Sequence, residues 1–161
     1  MNSELSGLAQ AWRRHNEINV YLLESIPDVG LESVPLLKNG KPSTGRTVRR
    51  NFAHMHDARC EHMKGALQKY LKDTKPFEKT ANPNRAELMF ALGASSAAIE
   101  RMLSDAEKNA LVVRKHHPAV FMSMLIAHES HHRGQIMLAL KQSGVRLNDT
   151  VKFEIWTRWL K

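Results

Sequence analysis

The chain has 161 residues, of which 42% are hydrophobic and 25% are charged. This length and composition predict one soluble globular domain over residues 1–161 and exclude a mainly disordered chain. No apolar segment reaches the roughly 20 residues that a membrane helix needs, and the N-terminus lacks the order of a signal peptide, so we expect a cytoplasmic protein without a membrane segment. The single cysteine, Cys60, fits a reducing compartment.

Basic residues outnumber acidic ones, with 24 lysines and arginines against 16 aspartates and glutamates. Part of this excess forms one cluster: Lys38, Lys41, Arg46, Arg49 and Arg50. Clusters of this kind can bind a phosphate backbone. No nucleic-acid motif and no interleaved aromatic platform accompanies the charge, so we interpret it as the solvated surface of a loop and a helix start and expect no nucleic-acid partner.

Apolar residues recur at helical spacing in four blocks, and no segment between them alternates like a strand, which predicts an all-α protein. The first helix is expected to start after Ser3 and to stop at Pro27. His15 and Asn19 fall on the same stripe as Trp12, so both polar side chains should face inward.

A long connection should follow, because residues 27–45 are punctuated by helix-breaking residues: Gly30, Pro35, Gly40 and Pro42. We expect no helix to persist within it. A second helix is predicted over about residues 47–72, where the apolar residues again follow a helical period.

One asparagine-proline pair and one histidine-proline pair predict the starts of the third and fourth helices. Asn82 is expected to cap the third helix, with Pro83 at its first position. His117 and Pro118 should open the fourth helix in the same way, and Gly144 should close it in a left-handed conformation.

Four helices with a long connection after the first predict a four-helix bundle with a crossover connection. The C-terminal tail, "VKFEIWTRWLK", is too apolar to be loose. We expect it to pack across the bundle or against a second subunit.

The segment "IAHESHHRGQIM", residues 126–137, contains three histidines: His128, His131 and His132. On a helix, His128 and His132 lie about 40° apart, one turn from each other, whereas His131 points away from His132. The first pair lies on the apolar seam of the helix and should point into the bundle. Two imidazoles so placed can hold one metal ion, but an open catalytic site normally takes three protein ligands.

The second helix offers two candidates for the third ligand, His54 and His56. They are two residues apart and therefore lie on nearly opposite faces of the helix. Periodicity favours His56 in the interior, because it follows the same stripe as Phe52 and Met63. Spacing alone leaves the choice open.

The same segment also matches H-E-x-x-H, the zinc-protease pattern in which Glu129 would be the general base. Such proteases need a sheet edge and, in the extended pattern, a glycine where this chain has Gln135. Glu154, a candidate downstream ligand, lies where little helix signal remains. We therefore reject the protease interpretation and interpret Glu129 as a solvated helix glutamate.

Two longer segments, "TVRRNFAHMHDAR" and "HPAVFMSMLIAHESHHRGQIMLALKQSG", resemble the DinB/YfiT-like family of small helical metalloproteins. The resemblance covers nearly the whole chain, including Trp12, Asn19 and the ending "EIWTRW". It implies a crossed four-helix bundle, a homodimer and a divalent metal ion. Matched position by position, the implied ligands are His54, His128 and His132, with His56 as a neighbour or alternate ligand.

Some relatives in this family are thiol S-transferases, so the resemblance implies a metal-dependent enzyme that joins a low-molecular-weight thiol to a small electrophile in detoxification or stress response. A non-catalytic metal-binding or interaction protein and a metal-dependent hydrolase are the alternatives. Zinc or nickel is the expected metal, with iron and manganese also compatible. The candidates for the pocket wall or the layer behind the ligands are His15, Asn19, His131, Arg133 and Gln135, with Arg133 as an anion anchor or a salt-bridge partner.

Overall fold

The computed structural model describes residues 6–160, and within this range the protein is all-α with no strand. Its α-helices are α1 Gly7–Ser25, α2 Val48–His62, α3 Arg85–Lys108, α4 Pro118–Gln142 and α5 Asp149–Thr157. Three short 3-10 helices lie between or after them: Asp28–Glu32, Gly65–Tyr70 and Arg158–Leu160. The all-α prediction is confirmed. No described helix has the length and hydrophobicity of a membrane-spanning segment.

Helix α1 begins at Gly7, where the Ser6 side chain accepts a hydrogen bond from the backbone N–H of Ala9. The predicted start after Ser3 lies outside the described residues. The helix ends at Ser25, ahead of Pro27, as the sequence predicts.

The connection after α1 contains a 3-10 helix, Asp28–Glu32, so the prediction that no helix persists there was wrong. This short helix packs closely on its neighbours at Gly30. A Cβ added at Gly30 would lie 2.8 Å from Ile26 Cγ2 and 3.0 Å from Leu140 Cδ2. Only glycine fits so close an approach.

Helix α2 ends at His62, ten residues before the predicted end near Lys72. The chain turns at Gly65, whose φ of +74° is left-handed. The later apolar residues of the predicted helix, including Leu67 and Tyr70, form part of a 3-10 helix instead and still pack against the core. Apolar periodicity therefore continued past the break and concealed it.

Helix α3 begins at Arg85 and is capped by Asn84, two residues after the predicted cap, Asn82. The Asn84 side chain accepts from the Glu87 backbone N–H, and the Glu87 carboxylate accepts from the Asn84 backbone N–H. This reciprocal capping box satisfies two otherwise unpaired donors. Helix α4 starts at Pro118 as predicted, with His117 as its cap.

The interior has two apolar clusters with a polar layer between them. One cluster includes Leu22, Phe52, Leu92 and Ile136; the other includes Trp12, Ile99, Met102 and Phe121. All four long helices contribute to the layer between: His15, Asn16 and Asn19 from α1, Arg59 from α2, Ser95 and Ser96 from α3, and Glu129 and His132 from α4. The predicted inward orientation of His15 and Asn19 is confirmed.

The C-terminal segment packs across α1 of the same chain. The Arg158 guanidinium lies 3.7 Å from the centroid of the Tyr21 ring, and the ring centroids of Trp159 and His15 are 5.8 Å apart. These contacts agree with the first of the two placements predicted for the tail. Phe153 and Trp156, on the outer side of this segment, are exposed.

Candidate metal centre

Three histidines from two helices meet beside the polar layer. His54 comes from α2, while His128 and His132 lie one turn apart on α4. One ring nitrogen from each lies within 4.8 Å of the other two. The Nε2 atoms of His128 and His132 are 3.1 Å apart.

Two side chains fix the orientation of the His132 ring. Its Nδ1–H donates toward Asn51 Oδ1 and toward Gln135 Oε1, each at 3.0 Å. The Asn51 amide is itself oriented, because its Nδ2 donates to the backbone carbonyls of Thr47 (3.1 Å) and Arg46 (3.4 Å). Both partners of Nδ1 are side-chain oxygens, which can only accept a hydrogen bond. The proton of the neutral ring therefore sits on Nδ1, and Nε2 keeps its lone pair.

The arrangement fits a divalent cation. Zinc–nitrogen bonds of about 2.0–2.1 Å in a tetrahedral site place two ligand nitrogens about 3.3 Å apart, close to the separation of the His128 and His132 Nε2 atoms. Imidazole is a suitable donor for zinc, nickel, iron and copper. The oriented His132 ring, with its second nitrogen held by a hydrogen bond, is the usual arrangement of a metal-bound histidine.

The histidines are neutral at physiological pH, the state in which imidazole binds a metal. Burial, together with the charge of Arg46, lowers the pKa of His54 to about 4. Burial and the neighbouring His128 and His54 lower the pKa of His132 to about 4. Burial also lowers the pKa of His128. Near neutral pH, protons therefore do not compete with a metal ion for these ring nitrogens.

His56 and His131 lie outside this cluster. His56 is buried, as periodicity predicts, but its ring packs against Phe77 and its Nε2 lies 2.8 Å from the Lys75 carbonyl oxygen. The structure thus places His56 away from the alternate-ligand position. His131 is exposed, and its Nε2 accepts from Gln135 Nε2 at 2.9 Å.

Glu129, between the two α4 histidines in sequence, is fully buried, so its interpretation as a solvated glutamate was wrong. The Arg59 guanidinium donates to both of its oxygens, at 2.7 and 2.8 Å. Asn19 Nδ2 donates to it at 2.7 Å, and His15 Nε2 lies 2.9 Å away. Burial alone would raise the pKa of Glu129, but Arg59 and His15 together outweigh burial and lower that pKa. The carboxylate is thus a structural anion whose oxygens are bound by Arg59, Asn19 and His15.

Arg59 completes the polar layer. Its guanidinium also donates to Asn16 Oδ1, to the Leu92 carbonyl and to Ser95 Oγ, and it lies 4.9 Å from the centroid of the Trp12 ring. The burial of Arg59 is not evident from the sequence, because a charged side chain on a helix is normally solvated. A buried arginine needs a buried acid, and Glu129 is that acid.

Two of the other candidate pocket residues, His15 and Asn19, lie in the polar layer. His15 and Asn19 contact Glu129 and not the three clustered histidines. Arg133 donates to Asn19 Oδ1 and to Ser130 Oγ, both at 2.7 Å, and forms no ion pair among residues 6–160. The His131 ring lies against the His132 ring, with 5.4 Å between their centroids, and Gln135 forms a hydrogen bond with His132, a candidate ligand. Asn51, which does the same, was missed.

A cavity of about 730 Å³ lies elsewhere, between residues 71–77 and α3. His56 lines it, but none of the three clustered histidines does. We assign the candidate site to the histidines, because the cavity does not gather a comparable set of convergent ligands.

The fold and the site together define an all-α protein with a candidate metal site of three neutral imidazoles from two helices. The DinB family model matches residues 1–157, and the chain belongs to the DinB family. This confirms the resemblance seen in the sequence motifs. No curated protein matches the chain, and no solved structure matches it.

Proposed function

We propose that this DinB-family protein is a divalent-metal-dependent thiol S-transferase that acts on small electrophiles in detoxification or stress response. The convergence of His54, His128 and His132 within 4.8 Å is the observation that carries the proposal. We further propose that α1–α4 form the crossed four-helix bundle of DinB/YfiT-like proteins and that the protein is a homodimer.

In this proposal the three histidines hold the cation, with zinc or nickel favoured and iron or manganese also compatible. A divalent cation bound there would lower the pKa of a thiol or water, making the nucleophile available near neutral pH. Asn51 and Gln135 keep the proton on Nδ1 of His132, which leaves Nε2 free as a donor. The buried Arg59–Glu129 pair holds α2 and α4 together directly behind the ligands.

Among residues 6–160 no carboxylate belongs to the three-histidine cluster, which favours thiol transfer over hydrolysis. Hydrolysis benefits from a general base that takes a proton from water. Glu129 is buried and bonded to Arg59, His15 and Asn19, so it is not available for that role. A thiol whose pKa is lowered by a cation needs no protein base, because its proton can leave to solvent.

The test is thiol consumption by metal-loaded protein, measured across a panel of low-molecular-weight thiols and small electrophiles. The matched control is a His128→Ala, His132→Ala variant treated with the same metal. Consumption above background that disappears in the variant supports the transferase. Background consumption by protein with bound metal would contradict it and would favour a non-catalytic metal-binding protein.

A nucleic-acid partner is not part of this proposal. Two residues of the basic cluster, Arg49 and Arg50, are engaged within the chain: Arg49 pairs with Glu32 at 2.6 Å, and Arg50 donates to the Ala81 carbonyl at 2.8 Å. Phosphate contacts by these side chains would require breaking those bonds.

A further inference from the structure

The cavity between residues 71–77 and α3 is separate from the three-histidine site and takes no part in the proposed function. Its volume of about 730 Å³ lies within the range of small-molecule sites in proteins, about 300–1,000 Å³. None of the three clustered histidines lines it. The cavity is therefore a candidate for a binding site of its own.

The floor of the cavity is one face of α3. Ala86, Phe90, Ala94 and Ala97 follow one another at intervals of four, four and three residues, which places them along a single stripe of the helix. The three alanines leave room above the helix, because their side chains end at Cβ. Phe90, with 79% of its surface exposed, borders that room. The floor is therefore an apolar surface that the described part of the chain leaves partly uncovered.

The opposite wall of the cavity, residues 71–77, is held in place at both ends. At its start, Arg101 Nη2 donates to the Tyr70 carbonyl at 2.7 Å, which ties the wall to α3. At its end, the Phe77 backbone N–H donates to Asp57 Oδ1 at 2.8 Å, which ties the wall to α2.

His56 of α2 holds the same wall between these two ends. Its Nε2–H donates to the Lys75 carbonyl oxygen at 2.8 Å, and its ring packs against the Phe77 ring with 5.2 Å between the centroids. The wall is thus bonded to both helices before a ligand arrives. A preformed cavity of this kind binds a ligand with little cost for ordering its own residues.

The charged side chains that line the cavity are three basic and two acidic ones: Lys72, Lys75, Arg101, Asp73 and Glu87. None of the three basic side chains forms an ion pair within residues 6–160. Glu87 is engaged in the capping box of α3, about 20 Å along the helix axis from Arg101. This leaves Asp73 as the other acid, and the excess of cations favours a ligand with a negative group.

We propose that this cavity is a second binding site, for a small molecule with an apolar body and one negatively charged group. The apolar body lies on the alanine stripe of α3, beside Phe77 and Phe90, where its burial supplies the affinity. The negative group lies at the rim, where Lys72 and Lys75 are exposed and fix the orientation of the ligand.

The test uses two dyes with the same apolar framework, the anionic 8-anilinonaphthalene-1-sulfonate and the neutral N-phenyl-1-naphthylamine. Both fluoresce strongly in an apolar site, and their affinities for the metal-loaded protein are measured by titration. We expect both dyes to bind. Ala94→Leu should weaken both by roughly tenfold or more, because the leucine side chain takes the place of the apolar body.

Gly93→Leu is the matched control for the added bulk. Gly93 is exposed, precedes Ala94 on α3 and does not line the cavity, and a Cβ added there meets no atom within 4 Å. This variant should keep both affinities. Circular dichroism checks that each variant folds, and Ala97→Leu replaces Ala94→Leu if the latter does not.

The charge requirement is tested with a Lys72→Gln, Lys75→Gln variant. It should bind the sulfonate dye roughly fivefold more weakly, the effect expected of exposed ion pairs, and should bind the neutral dye as the native protein does. A Lys38→Gln, Lys41→Gln variant is the matched control, because it removes the same charge from exposed residues outside the cavity. It should keep both affinities.

Three results would overturn the proposal. Dye binding that Ala94→Leu leaves unchanged would place the dyes elsewhere, for instance on the exposed Phe153 and Trp156. An unchanged affinity for the sulfonate dye in the Lys72→Gln, Lys75→Gln variant would remove the charge requirement. Dye binding that weakens as the protein concentration rises would mean that a second copy of the chain covers this face. None of these readouts depends on thiol consumption, so the proposed function and this inference can fail separately.

Discussion

Replacing Glu129 by glutamine tests whether this residue is a buried structural anion or a reactive group. The substitution preserves the size of the side chain but removes its charge. Arg59 would keep its bonds to Asn16, Leu92 and Ser95 but would lose its counter-charge in a site where both side chains have no exposed surface. We expect the folded protein to be strongly destabilised.

The magnitude follows from the burial of the pair. Removing one partner of a buried ion pair costs about 3–5 kcal/mol. The lower end applies here, because the glutamine keeps one oxygen that can accept from Arg59. For a protein of this size, 1 kcal/mol shifts the melting temperature by roughly 2–4 °C, so about 3 kcal/mol predicts a decrease of about 6–12 °C.

The assay is thermal and urea unfolding followed by circular dichroism, with Glu61→Gln as the control. Glu61 is an exposed α2 residue that pairs with Lys64 at 2.7 Å, and its replacement should change the free energy of unfolding by less than about 0.5 kcal/mol. In a double-mutant cycle with Arg59→Met, the coupling energy should exceed about 2 kcal/mol. A Glu129→Gln variant no less stable than Glu61→Gln would refute the assigned role.

Three further predictions follow from the site and its surroundings. Asn51→Leu should weaken metal binding by about 10–100-fold in a chelator competition assay, because it removes an acceptor that orients His132; native affinity in this variant would exclude an orienting role. The metal-free protein should lose stability as the pH falls from about 6.5 to about 4, because unfolded histidines bind protons in this range while His54 and His132 do not; replacing both by glutamine should flatten the decrease in urea unfolding, and an unchanged slope would argue against it. Cys60 should resist thiol reagents until the protein unfolds, because it is buried and burial raises its thiol pKa to about 12; rapid labelling of the native protein would contradict this.

The sequence predicts those parts of the fold that depend on local signals. The Pro118 start and the Gly144 end of α4 follow from residue chemistry at each position, and the structure has both. The end of α2 could not be predicted in this way. Its apolar spacing continues through a 3-10 helix that packs against the same core. The hydrophobic pattern therefore gives no sign of the change from an α-helix to a 3-10 helix.

The candidate site shows the same division. Helical spacing puts His128 and His132 on one face, and in the structure their Nε2 atoms are 3.1 Å apart. It cannot choose between His54 and His56, because both are packed: one meets the α4 histidines, and the other meets Phe77. That choice depends on which neighbouring helix each face contacts, which is a property of tertiary packing.

Buried charge is the hardest feature to predict from one sequence. Arg59 and Glu129 each look like solvated helix residues, and only their pairing across 70 positions makes their burial favourable. An interpretation that places every charged residue at the surface therefore misses both members of this buried pair.

The most direct test of the central claim is the metal content of untagged protein purified without chelators, measured beside the His128→Ala, His132→Ala variant. We expect nearly one divalent metal ion per chain in the native protein and none in the folded variant. Native protein that stays metal-free after incubation with zinc, nickel, iron and manganese would contradict it.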